Sequence, residues 1–191
     1  MKKLIMMIAV VATAVVANAA TVSWQAQKGY LYEAGTSTKI TSGDVYLMFV
    51  TSTYTQDSLV SAFSGANGDV AATLAAMGAS GAMATGASAI GSNARIPMSD
   101  STYAMTGDMS AYFVVFNGGN MFVSGAVNAT YDALTDKSTI SFDAMSTPSK
   151  AAAMDASAGY TGAGWYAVPE PTSGLLMLVG LAGLALRRRR A

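Results

Sequence analysis

Apolar positions in the central part of the chain follow two patterns that are typical of β-strands. Residues 22–26 alternate apolar and polar side chains, and residues 139–144 do the same. This alternation predicts strands with one buried face and one face in water. Residues 45–50 and 111–116 are instead unbroken runs of aliphatic and aromatic side chains, which predict strands that are covered on both faces.

Turn residues indicate how some of these strands are connected. Gly118 and Gly119 lie between the run at 111–116 and a second apolar run at 121–127. Two glycines between apolar runs predict a β-hairpin. Residues 30–33 and 160–168 are predicted to supply two further strands.

Two short helices are predicted between the second and third groups of strands. Residues 56–63 have the apolar spacing of a helix, and Thr55 is a suitable N-terminal cap. Residues 69–77 follow the same pattern. The apolar side chains expected on one face of this second helix are Val70, Leu74 and Met77.

Residues 78–91 contain only Gly, Ala, Ser, Met and Thr, with one Ile. Such a composition offers little side-chain volume to bury, so we expect a flexible surface loop. The predicted fold is mainly β: an antiparallel β-sandwich-like sheet with a helical and Gly/Ala-rich insertion at about 55–95. N-terminal signal and C-terminal transmembrane helices are expected to flank it.

The first 19 residues have the three parts of a secretory signal peptide. Two lysines follow Met1, residues 4–16 are apolar with one exception, and the small residues Ala17 and Ala19 precede a predicted cleavage site before Ala20. The apolar run is shorter than the roughly 20 residues that a stable membrane span needs. We therefore expect an exported protein whose mature form starts at Ala20.

The last residues combine three features with separate physical roles. Pro169 and Pro171, which follow Val168, hold the chain around Glu170 in an extended conformation that a peptide-binding enzyme can recognise. Residues 175–186 are entirely apolar. The chain then reaches a cluster of arginines that the positive-inside rule places in the cytoplasm, namely Arg187, Arg188, Arg189 and Arg190.

The apolar stretch alone is short for a membrane span. Its residues make roughly 18 Å of helix, against a hydrocarbon core of about 30 Å. A span counted from Trp165 reaches roughly 33 Å and places Trp165 and Tyr166 at the outer membrane interface, where aromatic residues are enriched. We expect a marginal span of this kind; an ordinary C-terminal tail anchor is the alternative interpretation.

The tail closely resembles the PEP-CTERM protein-sorting signal of Gram-negative bacteria. The resemblance covers about the last 24 residues, from Val168 through the Pro-Glu-Pro triplet and the apolar stretch to the arginines. It implies recognition by exosortase, an integral membrane processing enzyme. It also implies removal or transfer of the tail and release of the protein toward the cell surface or the extracellular matrix.

Composition excludes several classes of chemistry. The chain has no cysteine and no histidine, which removes disulfides, thiolate nucleophiles, Cys/His zinc sites and imidazole bases. Residues 20–168 hold five basic and ten acidic residues, a net charge of −5. A surface of that sign repels phosphates and argues against a nucleic-acid partner.

Carboxylates and tyrosines remain as candidates for chemistry. Asp132, Asp136 and Asp143 lie close in sequence, but they lack the alternation and the glycine of a calcium loop, and we interpret them as turn caps. We accordingly predict no catalytic, cofactor-binding or metal-ligating residue. Two interpretations are open for a group of tyrosines. They could form a face that stacks on sugar rings, or they could occupy half-buried positions in the sheet. The residues are Tyr30, Tyr32, Tyr54 and Tyr103.

The sequence predicts three segments: a signal peptide at 1–19, an exported β-rich domain at 20–167 and a sorting and membrane-anchor segment at 168–191. The expected function is that of a non-enzymatic cell-surface or matrix protein with a structural or adhesive role. It passes through an intermediate anchored in the inner membrane, and extracellular polysaccharide is a candidate partner. The alternatives are a secreted polysaccharide hydrolase acting through carboxylates and a carbohydrate-binding module.

Overall fold

The computed structural model of the chain describes residues 19–142 and 152–168. Of these residues 42% are strand and 16% are helix, which confirms the predicted mainly β class. The described helices are α1 (Gln56–Gly65) and α2 (Val70–Ala79), with a short 3₁₀ turn at Ala156–Ala158. The described strands are β1 (Ala20–Ala26), β2 (Asp44–Phe49), β3 (Met83–Ala89), β4 (Ile96–Tyr103), β5 (Met109–Asn117), β6 (Asn120–Val123), β7 (Val127–Ala129), β8 (Tyr131–Asp132), β9 (Lys137–Ser141), β10 (Met154–Asp155) and β11 (Gly164–Ala167).

Hydrogen bonds join the described strands into one sheet, in the order β10-β11-β6-β5-β2-β3-β4-β1-β9-β8, with β7 also paired to β5. The sheet curls, so that β7 lies against β9. Most neighbours are antiparallel, but β1 pairs with β9, and β10 with β11, in parallel. The antiparallel prediction is wrong at these two places. Most of the domain lies between β1 and β9, which leaves room for a crossover to a parallel strand. β10 and β11 are joined by a shorter segment that contains the 3₁₀ turn at Ala156–Ala158.

The curled sheet encloses an interior cluster of large apolar side chains. It includes Trp24 from β1, Leu47 from β2 and Phe113 from β5. The rings of Phe113 and Phe142 meet edge to face, with their centroids 5.0 Å apart. Because Phe142 directly follows β9, which lies far from β5 in the strand order, this contact shows that opposite parts of the sheet face each other across the interior.

The helices cover the other face of β2, β5 and β6, which we call the helix side. Leu59 and Phe63 of α1 pack there with Met48, Tyr112 and Val123. Successive residues of β2 and β5 therefore point alternately into the interior and toward the helices. This confirms that the two unbroken apolar runs form strands covered on both faces. The alternating strands β1 and β9 are also confirmed, since every second residue of each is buried.

Both predicted helices form, and both begin at a side-chain cap. The Thr55 hydroxyl accepts a hydrogen bond from the Ser58 amide, and the Ser58 hydroxyl accepts one from the Thr55 amide, which is a capping box. The carboxylate of Asp69 accepts a hydrogen bond of 2.7 Å from the amide of Ala72 at the start of α2.

The buried face of α2 differs from the predicted one. Met77 is buried and Leu74 half-buried, but Val70 is 37% exposed and Thr73 is buried in its place. Thr73 tolerates burial because its hydroxyl donates a hydrogen bond of 2.6 Å to the carbonyl oxygen of Asp69. The buried face of α2 is therefore the one that carries Thr73 and Met77.

The prediction of a flexible loop at residues 78–91 is wrong. This segment completes α2 and then forms β3, which lies in the sheet between β2 and β4. Ala84 is buried in the interior cluster. Gly86 has a φ of +102°, and a Cβ atom there would lie 3.4 Å from the carbonyl oxygen of Asp100 in β4. Small residues suit a strand whose neighbours supply the bulk of the core.

The other predicted strands are shorter than expected, although the predicted hairpin is confirmed. Gly118 and Gly119 form the two-residue turn between β5 and β6 with φ values of +56° and +77°. The run at 121–127 is interrupted at Ser124, whose hydroxyl accepts a hydrogen bond from the amide of Phe113. Residues 30–33 contribute an isolated bridge between Tyr32 and Lys39, not a strand, and 160–168 contribute only β11.

Candidate functional site

The described domain ends where the predicted sorting motif begins. β11 pairs with β6 along its whole length, from Gly164 opposite Val123 to Ala167 opposite Asn120. β11 also pairs in parallel with β10. Val168, the first residue of the motif, directly follows the last residue of this strand. The sheet and the motif are therefore contiguous, without a linker between them.

Trp165 and Tyr166 lie inside the protein, where they are 1% and 0% exposed. The ring of Trp165 packs in the interior, 5.4 Å from that of Phe122, and its indole nitrogen donates a hydrogen bond of 3.0 Å to the carbonyl oxygen of Tyr32. Tyr166 faces the helix side, and its hydroxyl donates to the carbonyl oxygen of Gly162 at 3.0 Å. The prediction that this pair lies at a membrane interface is wrong, because the two residues fill opposite faces of a covered strand.

Val168 is half-buried and packs on the helix side of the domain. Its Cγ2 atom lies 3.4 Å from the position that a Cβ would take on Gly68, in the turn between α1 and α2. The first residue of the motif is thus held by the domain. Pro169, Glu170, Pro171, the apolar stretch and the four arginines lie outside the described residues.

No helix within residues 19–142 and 152–168 combines the length and the apolar character needed to cross a membrane. The two predicted hydrophobic segments, at 4–16 and 175–186, lie outside this part of the chain.

The chain continues from the β domain into a Pro-Glu-Pro triplet, an apolar stretch and four arginines, which is the composition of a C-terminal sorting signal. Residues 167–190 match the PEP-CTERM protein-sorting motif, which confirms the resemblance seen in the sequence. The motif indicates an exported protein that is sorted by exosortase, a membrane enzyme of Gram-negative bacteria. Comparison with curated proteins and with solved structures found no match.

The predicted signal-cleavage site lies at the other boundary of the domain. Ala20 is the first residue of β1, is fully buried and pairs with Tyr103 of β4. Ala19 is exposed, and Ala17 lies outside the described residues. Cleavage before Ala20 would therefore leave the new amino terminus on the first residue of a strand.

The carboxylates Asp132 and Asp136 lie at the two ends of the turn between β8 and β9, Asp132 as the last residue of β8 and Asp136 directly before β9. Asp132 accepts hydrogen bonds from the hydroxyl of Thr135 and the amide of Leu134, and these bonds hold its pKa below the usual range. Asp136 accepts a hydrogen bond of 2.8 Å from the hydroxyl of Tyr131. The turn-cap interpretation is confirmed for Asp132, whereas Asp143 lies outside the described residues. No group of three or more potential metal ligands occurs in the described part of the chain.

The four tyrosines considered for sugar stacking do not form one face. Tyr30 and Tyr32 meet edge to face with ring centroids 6.5 Å apart. Tyr103 stacks on Phe49 of the core at 4.0 Å, and Tyr54 packs on the helix side. All four are half-buried, which agrees with the structural interpretation.

Tyr30 nevertheless belongs to a basic and aromatic group that the sequence did not reveal. The Nζ atom of Lys39 lies 3.4 Å from the centre of the Tyr30 ring, and the guanidinium carbon of Arg95 lies 4.8 Å from it. The Nε atom of Arg95 also donates a hydrogen bond of 3.2 Å to the carbonyl oxygen of Gly29. We call Tyr30, Lys39 and Arg95 the Tyr30 cluster.

A polar pocket of about 270 Å³ adjoins the Tyr30 cluster at Arg95. Amides and hydroxyls are hydrogen-bonding partners for an oxygen-rich ligand, and a guanidinium favours one that carries negative charge. The cluster escaped prediction because its residues come from separate segments. The bridge between Tyr32 and Lys39 and the hydrogen bond from the amide of Leu31 to the carbonyl oxygen of Ala94 bring these segments together. The pocket is lined by Gln27, Gly91, Ser92, Asn93, Arg95 and Pro97.

Proposed function

We propose that the chain is a cell-surface or extracellular-matrix protein whose C-terminal tail is processed by exosortase. The proposal is supported by the match of residues 167–190 to the sorting motif, which begins at the last residue of β11. The proposed organisation is a signal peptide at 1–19, an exported domain at 20–167 and a sorting and anchor segment at 168–191.

Each part of the tail has a separate task in this proposal. The arginines stop translocation, and residues 175–186 stay in the bilayer as the anchor of an inner-membrane intermediate. Because Trp165 and Tyr166 belong to the sheet, the span has to come from residues beyond Val168. Local thinning of the bilayer and snorkelling of the arginine side chains accommodate a short span. Glu170 is then presented between two prolines just outside the membrane.

The variant Glu170→Ala tests this function in the native host. It is expected to be exported and inserted normally but not processed, so that it stays in the membrane fraction, larger by about the mass of the tail. The matched control is Glu33→Ala, which removes an exposed carboxylate of the domain and should be processed like the parent. Processing and release of Glu170→Ala at the parental rate would show instead that the tail is a plain anchor.

We infer that the released domain has a structural or adhesive role. This inference is supported by the use of its carboxylates: Asp69, Asp132 and Asp155 each accept hydrogen bonds that cap a helix or a turn. A hydrolase needs carboxylates that face substrate. Incubation of the purified domain with extracellular polysaccharide from the host, followed by a reducing-end assay, tests the hydrolase alternative, which predicts new chain ends.

A second function, binding of acidic polysaccharide, is favoured by the Tyr30 cluster. The domain carries a net charge of −5, yet Lys39 and Arg95 both lie near the Tyr30 ring, and Arg95 also lines a polar pocket. A uronic-acid polymer offers both the carboxylates and the hydroxyls that such a site can bind. We propose this class of polymer as the ligand.

Affinity electrophoresis in gels containing polygalacturonate measures this binding. Arg95→Gln is expected to weaken it about tenfold, since a charged hydrogen bond is lost. The matched control is Lys137→Gln, which removes an exposed cation of β9 without touching the Tyr30 cluster. Equal retardation of the parent and of both variants would exclude the Tyr30 cluster as the binding site.

A further inference from the structure

We propose that β11 is a latch on the sorting motif, so that exosortase processes the tail only after β11 has separated from β6 and β10. This inference rests on the proposed processing by exosortase and adds a condition for it. It follows from the way in which the last strand and the first residue of the motif are built into the domain.

The folded domain limits the length of chain between its surface and Glu170. Val168 packs against the turn at Gly68, and Glu170 follows it by two residues. Two residues span at most about 7 Å, so the chain allows no more than this reach between Val168 and Glu170 while β11 is paired. An enzyme that binds an extended peptide needs residues on both sides of Glu170, and two of those on the N-terminal side, Ala167 and Val168, are engaged by the domain.

Several contacts hold the latch closed. The four residues of β11 are in register with β6, and Trp165 and Tyr166 are buried on opposite faces of the sheet. The segment just before β11 is tied to α1 as well. There the amide of Tyr160 donates to the carboxylate of Asp57, and the Gln56 side chain donates to the hydroxyl of Tyr160 at 3.2 Å.

The position of β11 in the sheet allows it to leave without disrupting the remaining strands. Among the described strands, only the two-residue β10 lies beyond it, and its inner neighbour β6 keeps its pairing with β5. Elements at the end of a sheet open at a lower free energy than its centre, without global unfolding. The residues of β11 are already extended, and release of β10 and β11 would make them accessible to the enzyme. The latch thus keeps the tether intact until this opening occurs.

A disulfide between β11 and β6 tests the latch directly. Asn120 and Ala167 lie opposite each other in the antiparallel pair, and opposite residues have Cα separations that suit a disulfide. The double variant Asn120→Cys, Ala167→Cys introduces the only cysteines in the chain, and export delivers them to an oxidising compartment. In a pulse-chase experiment in the native host, the oxidised double variant should be processed about tenfold more slowly than the parent, or slower still.

Three controls make the result specific. Reductant added during the chase should restore processing, and each single cysteine variant should be processed like the parent. Six Gly and Ser residues inserted between Val168 and Pro169 of the oxidised double variant should also restore processing, because they extend the reach by roughly 20 Å. Continued failure after reduction, or after insertion of the spacer, would overturn the latch.

The outcomes for the latch and for the sorting function are separable. If the oxidised double variant is processed at the parental rate while Glu170→Ala is not processed, the latch is wrong and the sorting function stands. If Glu170→Ala is processed as well, the sorting function itself is wrong. Slow processing of the oxidised double variant, its rescue by the spacer and a block by Glu170→Ala together support both.

Discussion

Trp165 and Tyr32 are joined by a hydrogen bond although they are 133 residues apart in the chain: the indole nitrogen donates to the carbonyl oxygen over 3.0 Å. The bond ties the last strand of the domain to the segment that follows the first. The Trp165 ring also packs on Phe122 in the interior cluster. The residue that closes the domain is therefore only three positions before the sorting motif.

Trp165→Ala should lower the free energy of unfolding by about 3–5 kcal/mol, because it leaves a large cavity in the interior cluster. Urea unfolding of the purified protein, followed by circular dichroism, measures the change. Leu134→Ala is the control, since Leu134 is 97% exposed and its loss should alter stability by less than about 0.5 kcal/mol. A loss of under 1 kcal/mol for Trp165→Ala would contradict the packing of β11.

Gly86→Ala should destabilise the protein by about 1–3 kcal/mol. The φ of +102° is unfavourable for alanine, and the new Cβ would lie 3.4 Å from the carbonyl oxygen of Asp100. Gly65→Ala, at the end of α1, meets no atom within 4 Å and should be neutral or slightly stabilising, as alanine is the better helix former. Thermal unfolding of the two variants compares these glycines, and equal melting temperatures would speak against the close approach of β3 and β4.

The sequence predicted the local structure correctly where a residue pattern is compatible with a single backbone conformation. The capping residue Thr55 predicted where α1 starts, and Gly118-Gly119 predicted the turn of a hairpin. These are local effects, in which a side chain or a backbone conformation acts on its immediate neighbours.

The prediction failed where long-range contacts determine the structure. The small residues of β3 become a strand only because β2 and β4 lie on either side of them. Trp165 and Tyr166 were assigned to a membrane interface because an aromatic pair near an apolar tail has that pattern, and only their contacts with Phe122 and Gly162 reveal them as core residues. The Tyr30 cluster likewise depends on chain segments that are distant in sequence. The sorting tail was recognised because its motif is contiguous.

Tyr112→Phe should leave the free energy of unfolding unchanged or raise it by up to about 1 kcal/mol. The hydroxyl of Tyr112 is buried and has no hydrogen-bond partner among the described residues, so removing it relieves the cost of its desolvation. Tyr166→Phe is the matched comparison, because that hydroxyl donates to Gly162 and accepts from the amide of Thr161. It should cost about 1 kcal/mol. The prediction fails if urea unfolding ranks the two variants in the opposite order.

Export should produce a mature protein that begins at Ala20. Ala17 and Ala19 are the small residues that signal peptidase recognises, and Ala20 opens the first strand of the domain. Mass spectrometry of the protein from the envelope of the native host identifies the first residue. Ala19→Arg should block this cleavage, whereas Ser23→Ala, beyond the site, should not. An intact Met1 on the exported protein would refute the assignment of the signal peptide.

Stability should fall as the pH rises above about 10, the usual pKa of tyrosine. Burial raises the pKa of Tyr112, Tyr103 and Tyr160, so the folded protein keeps these protons at a pH where the unfolded chain has begun to lose them. The unfolded state then binds fewer protons than the folded one, and the free energy of unfolding decreases with pH. Below about pH 9 both states are protonated, and these groups contribute no pH dependence.

Melting temperatures recorded from about pH 8 to pH 11 should therefore be level at first and then decline. Tyr112→Phe should show a shallower decline than the parent, since it lacks the most strongly shifted of the three groups. Identical declines for Tyr112→Phe and the parent would show that Tyr112 does not contribute to the loss of stability.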